Sequence, residues 1–182
     1  MRIIAGKLRS RTIVAPPGSS TRPTGDKARG ALFNILHGII GNARVLDGFA
    51  GSGALSFEAL SRGAAEAVLF EHDRAAAKLL QDNARSLGVL YQVEIHQTDF
   101  FTGVKQLSGR IFDLVFLDPP YASGLLIKAI EICARLLAPG GVVVAEHSST
   151  DTLPDTVAQL VKTGTRTYGA AAFSFYKRQE DQ

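Results

Sequence analysis

The stretch ARVLDGFAGSGALSFEALSRG, residues 43–63, decides the fold. Its first five residues form an apolar run that ends in Asp47, which predicts a short buried strand. A loop with glycines at positions 48, 51 and 53 follows, and the spacing of apolar residues in ALSFEALSR predicts a helix that ends at Gly63. Strand, glycine loop and helix in this order predict one βα unit, with the loop at the carboxyl end of the strand.

The rest of the chain continues this alternation. Further strands are predicted at 66–71, 93–99, 112–118 and 142–147, with helices at 74–88, 125–137 and in PDTVAQLVKTG, residues 154–164. Residues 166–178 read as two strands folded back at Gly169, an antiparallel edge. Alternating strands and helices predict an α/β fold, with a mostly parallel, seven-stranded sheet covered by helices on both faces.

An N-terminal extension, residues 1–24, is expected to precede the main domain, residues 25–182. Residues 1–15 alternate between apolar and basic types around Gly6, which predicts a small β-hairpin, and a loop rich in Pro, Gly and Ser follows. Thr24 is placed to cap a helix over about 25–40. Residues 1–29 contain seven basic residues and one acidic residue, whereas the remainder has an acidic excess. A basic segment on an acidic body favours a polyanion partner over a solvated tail.

Length and composition exclude several classes of protein. A chain of 182 residues that is 46% hydrophobic suits one compact domain that needs no disulfide or metal to fold. The single cysteine rules out a disulfide framework and fits a reducing cytoplasm. The sequence has no apolar run long enough for a membrane span and no signal-peptide pattern at its start. The spacing of the four histidines does not suggest a metal site.

The glycine loop is expected to bind a cofactor without a phosphate. The dinucleotide pattern G-x-G-x-x-G fails here, because Ser56 stands where the third glycine would follow Gly51 and Gly53. Asp47 would repel a pyrophosphate but attract an amine or a sulfonium, and S-adenosylmethionine (SAM) has both. Glu71 follows Gly53 at the spacing at which an acid meets ribose hydroxyls. Asp99 is expected to accept from an adenine amino group.

Four carboxylates are therefore predicted along one edge of the sheet. Asp47, Glu71, Asp99 and Asp118 each end a predicted strand, and Phe100 is expected beside the adenine ring. One such acid is often a cap for the following turn. Four in succession favour a shared ligand at the carboxyl ends of the strands.

The fourth strand ends in Asp118-Pro119-Pro120-Tyr121. Two prolines remove two N–H donors and fix the backbone, so this corner presents acceptors rather than donors. An exocyclic amine on a nucleobase needs such acceptors, because hydrogen bonds to its N–H groups position the nitrogen lone pair for attack on a methyl group. Tyr121 would stack on the base, which must first leave its helix. The residues predict amino-group methylation of a nucleic acid, with orientation supplying most of the rate and no metal required.

These motifs, with FEHD and the N-terminal MRIIAGKLRSR and TRPTGDKARGALFNIL, resemble the bacterial 16S rRNA guanine-N2 methyltransferases that modify guanine 966 of the small subunit. The resemblance covers nearly the whole chain. It implies a Rossmann-like, SAM-dependent methyltransferase that releases S-adenosylhomocysteine and acts on the small ribosomal subunit, here expected to be a cytoplasmic monomer. It implies that Asp47, Gly51, Gly53 and Glu71 line SAM and that Asp118 to Tyr121 form the catalytic corner.

The same resemblance places Arg22, Thr24 and Lys27 on the RNA-facing segment, and the charge pattern adds Arg9 and Arg11. One departure is Gly30, where the family more usually has glutamate. Two alternatives stay open. A DNA adenine-N6 methyltransferase would share the Asp-Pro-Pro-Tyr corner, but the chain leaves no room for a separate target-recognition domain. A non-catalytic binder with the SAM fold would have no need of the intact corner.

Overall fold

The computed structural model of the chain describes residues 1–15, 25–120 and 123–179, and the side chain of Ser123 lies outside this description. Eight strands form one sheet in the order β3-β2-β1-β4-β5-β8-β7-β6. The strands are β1 Arg44–Asp47, β2 Glu66–Phe70, β3 Val93–His96, β4 Phe112–Leu117, β5 Leu137–Ser148, β6 Thr156–Val157, β7 Leu160–Tyr168 and β8 Ala171–Arg178. The helices are α1 Asp26–Ile35, α2 His37–Ile40, α3 Ala54–Ser61, α4 Arg74–Leu87, α5 Phe100–Gly103 and α6 Ser123–Cys133.

The parallel half of the sheet confirms the expected α/β, Rossmann-like architecture. β1 pairs in parallel with β2 and β4, so that Asp47 stands opposite Leu69 on one side and Phe116 on the other. β3 and β5 extend this parallel region on either side. Because β1 and β4 are adjacent although far apart in sequence, their carboxyl ends form the switch point where such sheets bind ligands.

The antiparallel edge is larger than predicted. β8 pairs antiparallel with β5 and with β7, and the chain reverses at Gly169 as expected. The helix predicted over 154–164 is wrong, because β6 and the start of β7 occupy this segment, and the sheet therefore has eight strands rather than seven. Thr163, Thr165 and Thr167 repeat every second residue, and β-branched side chains at this period favour a strand.

Other boundaries also differ from the predictions, and the helix predicted over 125–137 spans Ser123–Cys133. The helix predicted over 25–40 is two helices, and Gly25 occupies the position before the first. The third strand ends at His96 rather than Asp99. The fifth strand begins at Leu137, because its pairing with β4 contains an irregularity that includes the Pro139-Gly140-Gly141 segment within the strand.

Hydrophobic cores cover both faces of the sheet, one beneath α1, α3 and α4 and the other beneath α5 and α6. Residues 1–15 pack against the first core, with Ile3 and Ile13 almost fully buried. They form a hairpin with a single bridge, Arg2 to Thr12, as expected in outline. Among the helices described, none is long and apolar enough to cross a membrane.

Candidate active site

A cavity of about 610 Å³ opens at the carboxyl ends of β1, β2 and β4. The glycine loop forms one wall through residues 48–52, without the predicted Gly53, and the corner after β4 forms another through Asp118 and Pro120. Of the predicted cofactor residues, the cavity wall includes Asp47, Gly51, Glu71, Asp99 and Phe100. The fold therefore brings together acids that stand up to 71 residues apart in the sequence.

The glycine loop is held by backbone hydrogen bonds to the strands on both sides of β1. Gly48 N–H donates to the Phe116 carbonyl oxygen at 3.0 Å, and Ala50 N–H donates to the Phe70 carbonyl oxygen at 2.9 Å. A Cβ on Gly48 would lie 3.0 Å from the Leu117 side chain, which explains a glycine whose role the sequence analysis did not assign. These two hydrogen bonds hold the loop in place as one wall of the cavity.

The two predicted loop glycines serve different purposes. Both have a positive φ, +53° at Gly51 and +81° at Gly53, which favours glycine. A Cβ on Gly53 would collide with the Phe57 ring and the Leu80 side chain, whereas one on Gly51 would meet open space. Gly53 therefore sets the packing of α3 against α4, and Gly51 leaves the backbone open to the cavity.

Asp47 is a buried carboxylate at the base of the cavity. It accepts hydrogen bonds from Ser56 Oγ at 2.8 Å and from the Phe49 backbone N–H at 3.3 Å. The pKa of Asp47 is raised to about 6, mainly because burial disfavours the charged form. The two hydrogen bonds act to lower this pKa, and the charge of Glu71 acts to raise it. A carboxylate kept in such a site gains from a cationic ligand, because the ligand's charge offsets the cost of burial.

Glu71 follows β2 and is fixed by two backbone N–H groups. Gly51 donates to its Oε2 at 3.0 Å and Asp73 donates to its Oε1 at 2.8 Å. The side chain is 10% exposed, and its carboxylate borders the cavity. Each carboxylate oxygen keeps a second lone pair for ligand hydroxyls.

Asp99 lies three residues beyond the end of β3, where it caps α5 by accepting from the Thr102 N–H at 3.1 Å. Asp99 is therefore a helix cap, as a single acid at the end of a strand often is, and it also borders the cavity. Phe100 is 2% exposed and packs edge-on against Phe70, with the Phe49 ring 5.5 Å away. It lies in the apolar wall of the cavity.

Asp118 has an exposed surface and lines the cavity, and Pro119 beside it is buried. The pKa of Asp118 is raised well above its usual range, first by desolvation within the cleft and then by the charges of Glu146 and Asp47. Asp118 and Pro120 are brought to the cavity as predicted, whereas Tyr121 lies outside the described residues.

Three of the five residues predicted to face RNA are exposed on the surface that the structure describes. Arg9, Arg11 and Lys27 are exposed, and Arg11 also donates through Nη2 to the Ser86 carbonyl oxygen of α4. Arg22 and Thr24 lie outside the described residues.

The N-terminal hairpin is anchored by a buried acid that the sequence analysis missed. Glu58 of α3 is fully buried and accepts from the Ile4 N–H at 2.8 Å and the Ala5 N–H at 3.1 Å. Arg62 Nε donates to the same carboxylate at 2.7 Å. The spacing of four residues between Glu58 and Arg62 on a helix is typical of an ion pair and could have been recognised in the sequence. The two hairpin partners of Glu58 are more than 50 residues away, and no local pattern predicts them.

A buried amide makes a second anchor. Asn83 of α4 accepts from the Val14 N–H at 3.0 Å through its Oδ1. Its Nδ2 donates to the Val14 carbonyl oxygen at 2.9 Å and to the Ser52 carbonyl oxygen at 3.1 Å. One side chain thereby joins the hairpin, α4 and the glycine loop.

Comparisons with known proteins show the family to which this chain belongs. The model of the family described as "Conserved hypothetical protein 95" matches residues 1–177. The chain belongs to this family. It is 36% identical to Ribosomal RNA small subunit methyltransferase D of Escherichia coli over 183 residues, which are 98% of this chain and 90% of that protein.

Solved structures agree with this membership. The chain is 35% identical to "Putative methyltransferase yhhF" from Escherichia coli, with a TM-score of 0.86 over 100% of this chain and 99% of that one. A more distant RNA methyltransferase from Salinibacter ruber, solved in complex with S-adenosyl-L-homocysteine, has the same fold, with 20% identity and a TM-score of 0.67 over 88% of this chain and 95% of that one. The predicted methyltransferase fold is confirmed.

Proposed function

We propose that this chain transfers a methyl group from SAM to the exocyclic N2 amine of a guanine in 16S rRNA of the small ribosomal subunit, at position 966 by family resemblance. The observation that carries the proposal is the convergence of the Asp118-Pro119-Pro120 corner and the Asp47 loop on one cavity. The relative named as a small-subunit rRNA methyltransferase supports the substrate class. Such an enzyme would act in the cytoplasm, where ribosomal subunits assemble.

The residues of the corner have a direct role in this reaction. When bound, SAM supplies a methyl group made electrophilic by the positive sulfur. Asp118 and the backbone carbonyls of the corner accept hydrogen bonds from the amine, which aims the nitrogen lone pair at that methyl group. The N–C bond forms as the C–S bond breaks, and the nitrogen then loses one proton. A carboxyl whose pKa is raised, as that of Asp118 is, suits a proton acceptor at this step.

Arg9, Arg11 and Lys27 supply phosphate contacts in this proposal, together with Arg22 and Thr24. The first three are exposed and lie on or next to the hairpin, which is the part of the chain with the basic excess. Phosphate contacts position an RNA without reading its sequence, so the shape of the subunit would provide specificity. Tyr121 keeps its predicted role as the stacking partner of the base.

The test measures transfer of tritium from labelled SAM to small subunits, naked 16S rRNA and duplex DNA in separate reactions. We expect label in the small-subunit RNA, at N2 of one guanine after nuclease digestion. Label in DNA alone would favour the adenine-N6 alternative, and label in none of the three would favour a non-catalytic binder.

A pair of variants on the same strand isolates the corner. Asp118→Asn should lower the transfer rate by about 100-fold or more while S-adenosylhomocysteine binding stays within a few-fold, since about 2.7 kcal/mol of barrier corresponds to 100-fold. Asp113→Asn is the matched control, because Asp113 lies at the opposite end of β4 and pairs with Arg44 at 3.1 Å. Near-normal turnover in Asp118→Asn would contradict the proton-acceptor role, because the amide oxygen of asparagine still accepts a hydrogen bond but takes up no proton.

A further inference from the structure

The cavity is strongly acidic, although its ligand is not purely cationic. Five carboxylates border it: Asp47, Glu71, Asp73, Asp99 and Asp118. They suit the ammonium and sulfonium groups of SAM, but SAM also carries a carboxylate on its amino-acid end. An unpaired carboxylate among these acids would be repelled, so the site needs a cation at one point.

Arg29 of α1 is the sole lysine or arginine among the cavity-lining residues that the structure describes. Its side chain is 1% exposed, so its charge acts in an environment with little water to screen it. We propose that Arg29 is the anchor for the carboxylate of the cofactor's amino-acid end. This contact concerns only the binding of the cofactor and does not depend on which nucleic acid is methylated.

The hydrogen-bond partners of Arg29 leave capacity for such a ligand. Nη2 donates to the Arg2 carbonyl oxygen and to Asp26 Oδ1 at 3.0 Å. Nη1 donates at 3.2 Å only to Met1 Sδ, and a thioether is a weak acceptor. Nε is buried with no hydrogen-bond partner, and Glu58 Oε2 lies 4.0 Å away. A carboxylate at Nη1 would replace the weak acceptor with a charge-assisted bond, and the flexible Met1 side chain can move aside.

The position of Arg29 fits the amino-acid end rather than the adenine end. Arg29 stands one helical turn before Phe33, whose ring lies 5.8 Å from that of Phe116 in β4. Phe116 precedes Asp118 by two residues, so the helix that carries Arg29 packs against β4, the strand that leads into Asp118. The predicted adenine contacts, Asp99 and Phe100, follow β3 at the far edge of the parallel region. The sulfonium end must lie near Asp118 for methyl transfer, and the carboxylate belongs to that end.

The experiment compares two probes that differ only in the carboxylate. Isothermal titration calorimetry would measure the affinity of the full chain for S-adenosylhomocysteine and for decarboxylated S-adenosylhomocysteine. The wild type should bind the complete probe about 10- to 100-fold more tightly, the range expected for one hydrogen bond to a charged group. Arg29→Gln should lose that difference, by weakening the complete probe and leaving the decarboxylated one within about twofold. Arg29→Lys should give an intermediate ratio.

Arg62→Gln is the matched control. Arg62 pairs with the same buried Glu58 but does not line the cavity, so its loss perturbs the anchor of the hairpin without touching the ligand. It should keep the wild-type ratio of the two affinities. If Arg29→Gln lowered the affinity for both probes equally, the proposal would be overturned, because Arg29 would then only stabilise the folded structure. Equal affinity of the wild type for the two probes would overturn it without reference to any variant, even if Arg29→Gln fails to fold.

Discussion

Replacing Glu58 should loosen the N-terminal hairpin around Ile4 and Ala5, while Asn83 still holds Val14. The Glu58 carboxylate is fully buried and accepts from two hairpin N–H groups at 2.8 and 3.1 Å and from Arg62 at 2.7 Å, with Arg29 at 4.0 Å. Glu58→Ala removes all of these acceptors at once. It leaves the two N–H groups without their acceptor, and it leaves the buried Arg29 with Asp26 as its remaining counter-charge.

The size of the effect follows from these contacts. Breaking a buried ion pair by removal of one partner costs about 3–5 kcal/mol, and each hydrogen bond to a charged group contributes about 1.5–3 kcal/mol. These terms overlap, so we expect the free energy of unfolding to fall by about 3–5 kcal/mol. For a chain of this length, each kcal/mol shifts Tm by about 2–4 °C, and Tm should fall by roughly 6–20 °C.

Urea and thermal unfolding followed by circular dichroism would measure the loss, and amide hydrogen exchange at Ile4 and Ala5 would locate it. Glu131→Gln is the control, since Glu131 is exposed on α6 and a surface change should stay within about 0.5 kcal/mol. A loss below about 1 kcal/mol in Glu58→Ala would refute the reasoning. Continued protection of the Ile4 and Ala5 amides would refute it as well, because it would mean that the hairpin is held by something else.

Three further predictions concern the cavity and the basic surface. Since the folded pKa of Asp47, about 6, exceeds its ordinary 3.8, the folded protein binds more protons between about pH 4 and 6, and stability should fall as pH rises through this window, less steeply in Asp47→Asn. SAM affinity, measured by calorimetry, should rise over the same window as Asp47 ionises, and a flat profile would contradict this. Gly53→Ala should lower the free energy of unfolding by about 1–3 kcal/mol more than Gly51→Ala, because only the first adds overpacking to the positive-φ cost; equal losses would contradict the packing role. Joint replacement of Arg9 and Arg11 by Ala should weaken subunit binding and reduce its salt dependence with SAM affinity unchanged, and unchanged subunit binding would make the basic hairpin a solvated one.

The parallel half of the sheet and the acids at its edge were predictable because their signals are local. Asp47 ends an apolar run and precedes a glycine loop, and the topology of βα units then brings Glu71 and Asp118 to the same edge. Asp99 was placed correctly on the cavity wall although its strand ends three residues earlier.

The anchors of the hairpin were beyond the reach of sequence patterns. Glu58 reads as one more polar position of α3, and Arg29 reads as part of a basic, RNA-facing segment, yet both are buried. Their partners lie on other segments, and no local spacing encodes contacts of that separation. The helix predicted over 154–164 failed for a different reason. Its apolar residues, among them Val157 and Leu160, fit a helical period, but pairing with β8 selects the strand.

The Asn83 anchor has a consequence for how the chain folds as it is made. The hairpin is synthesised first, but its partners follow more than 50 residues later: Glu58, Asn83 and Ser61, whose Oγ accepts from the Leu8 N–H at 2.9 Å. At about 5–20 residues per second, the interval between Val14 and Asn83 is on the order of 3–14 s. The hairpin must wait, with Ile3 and Ile13 exposed, until α3 and α4 have left the ribosome. The most basic segment of the chain would then leave the ribosome several seconds before the residues that hold it in place.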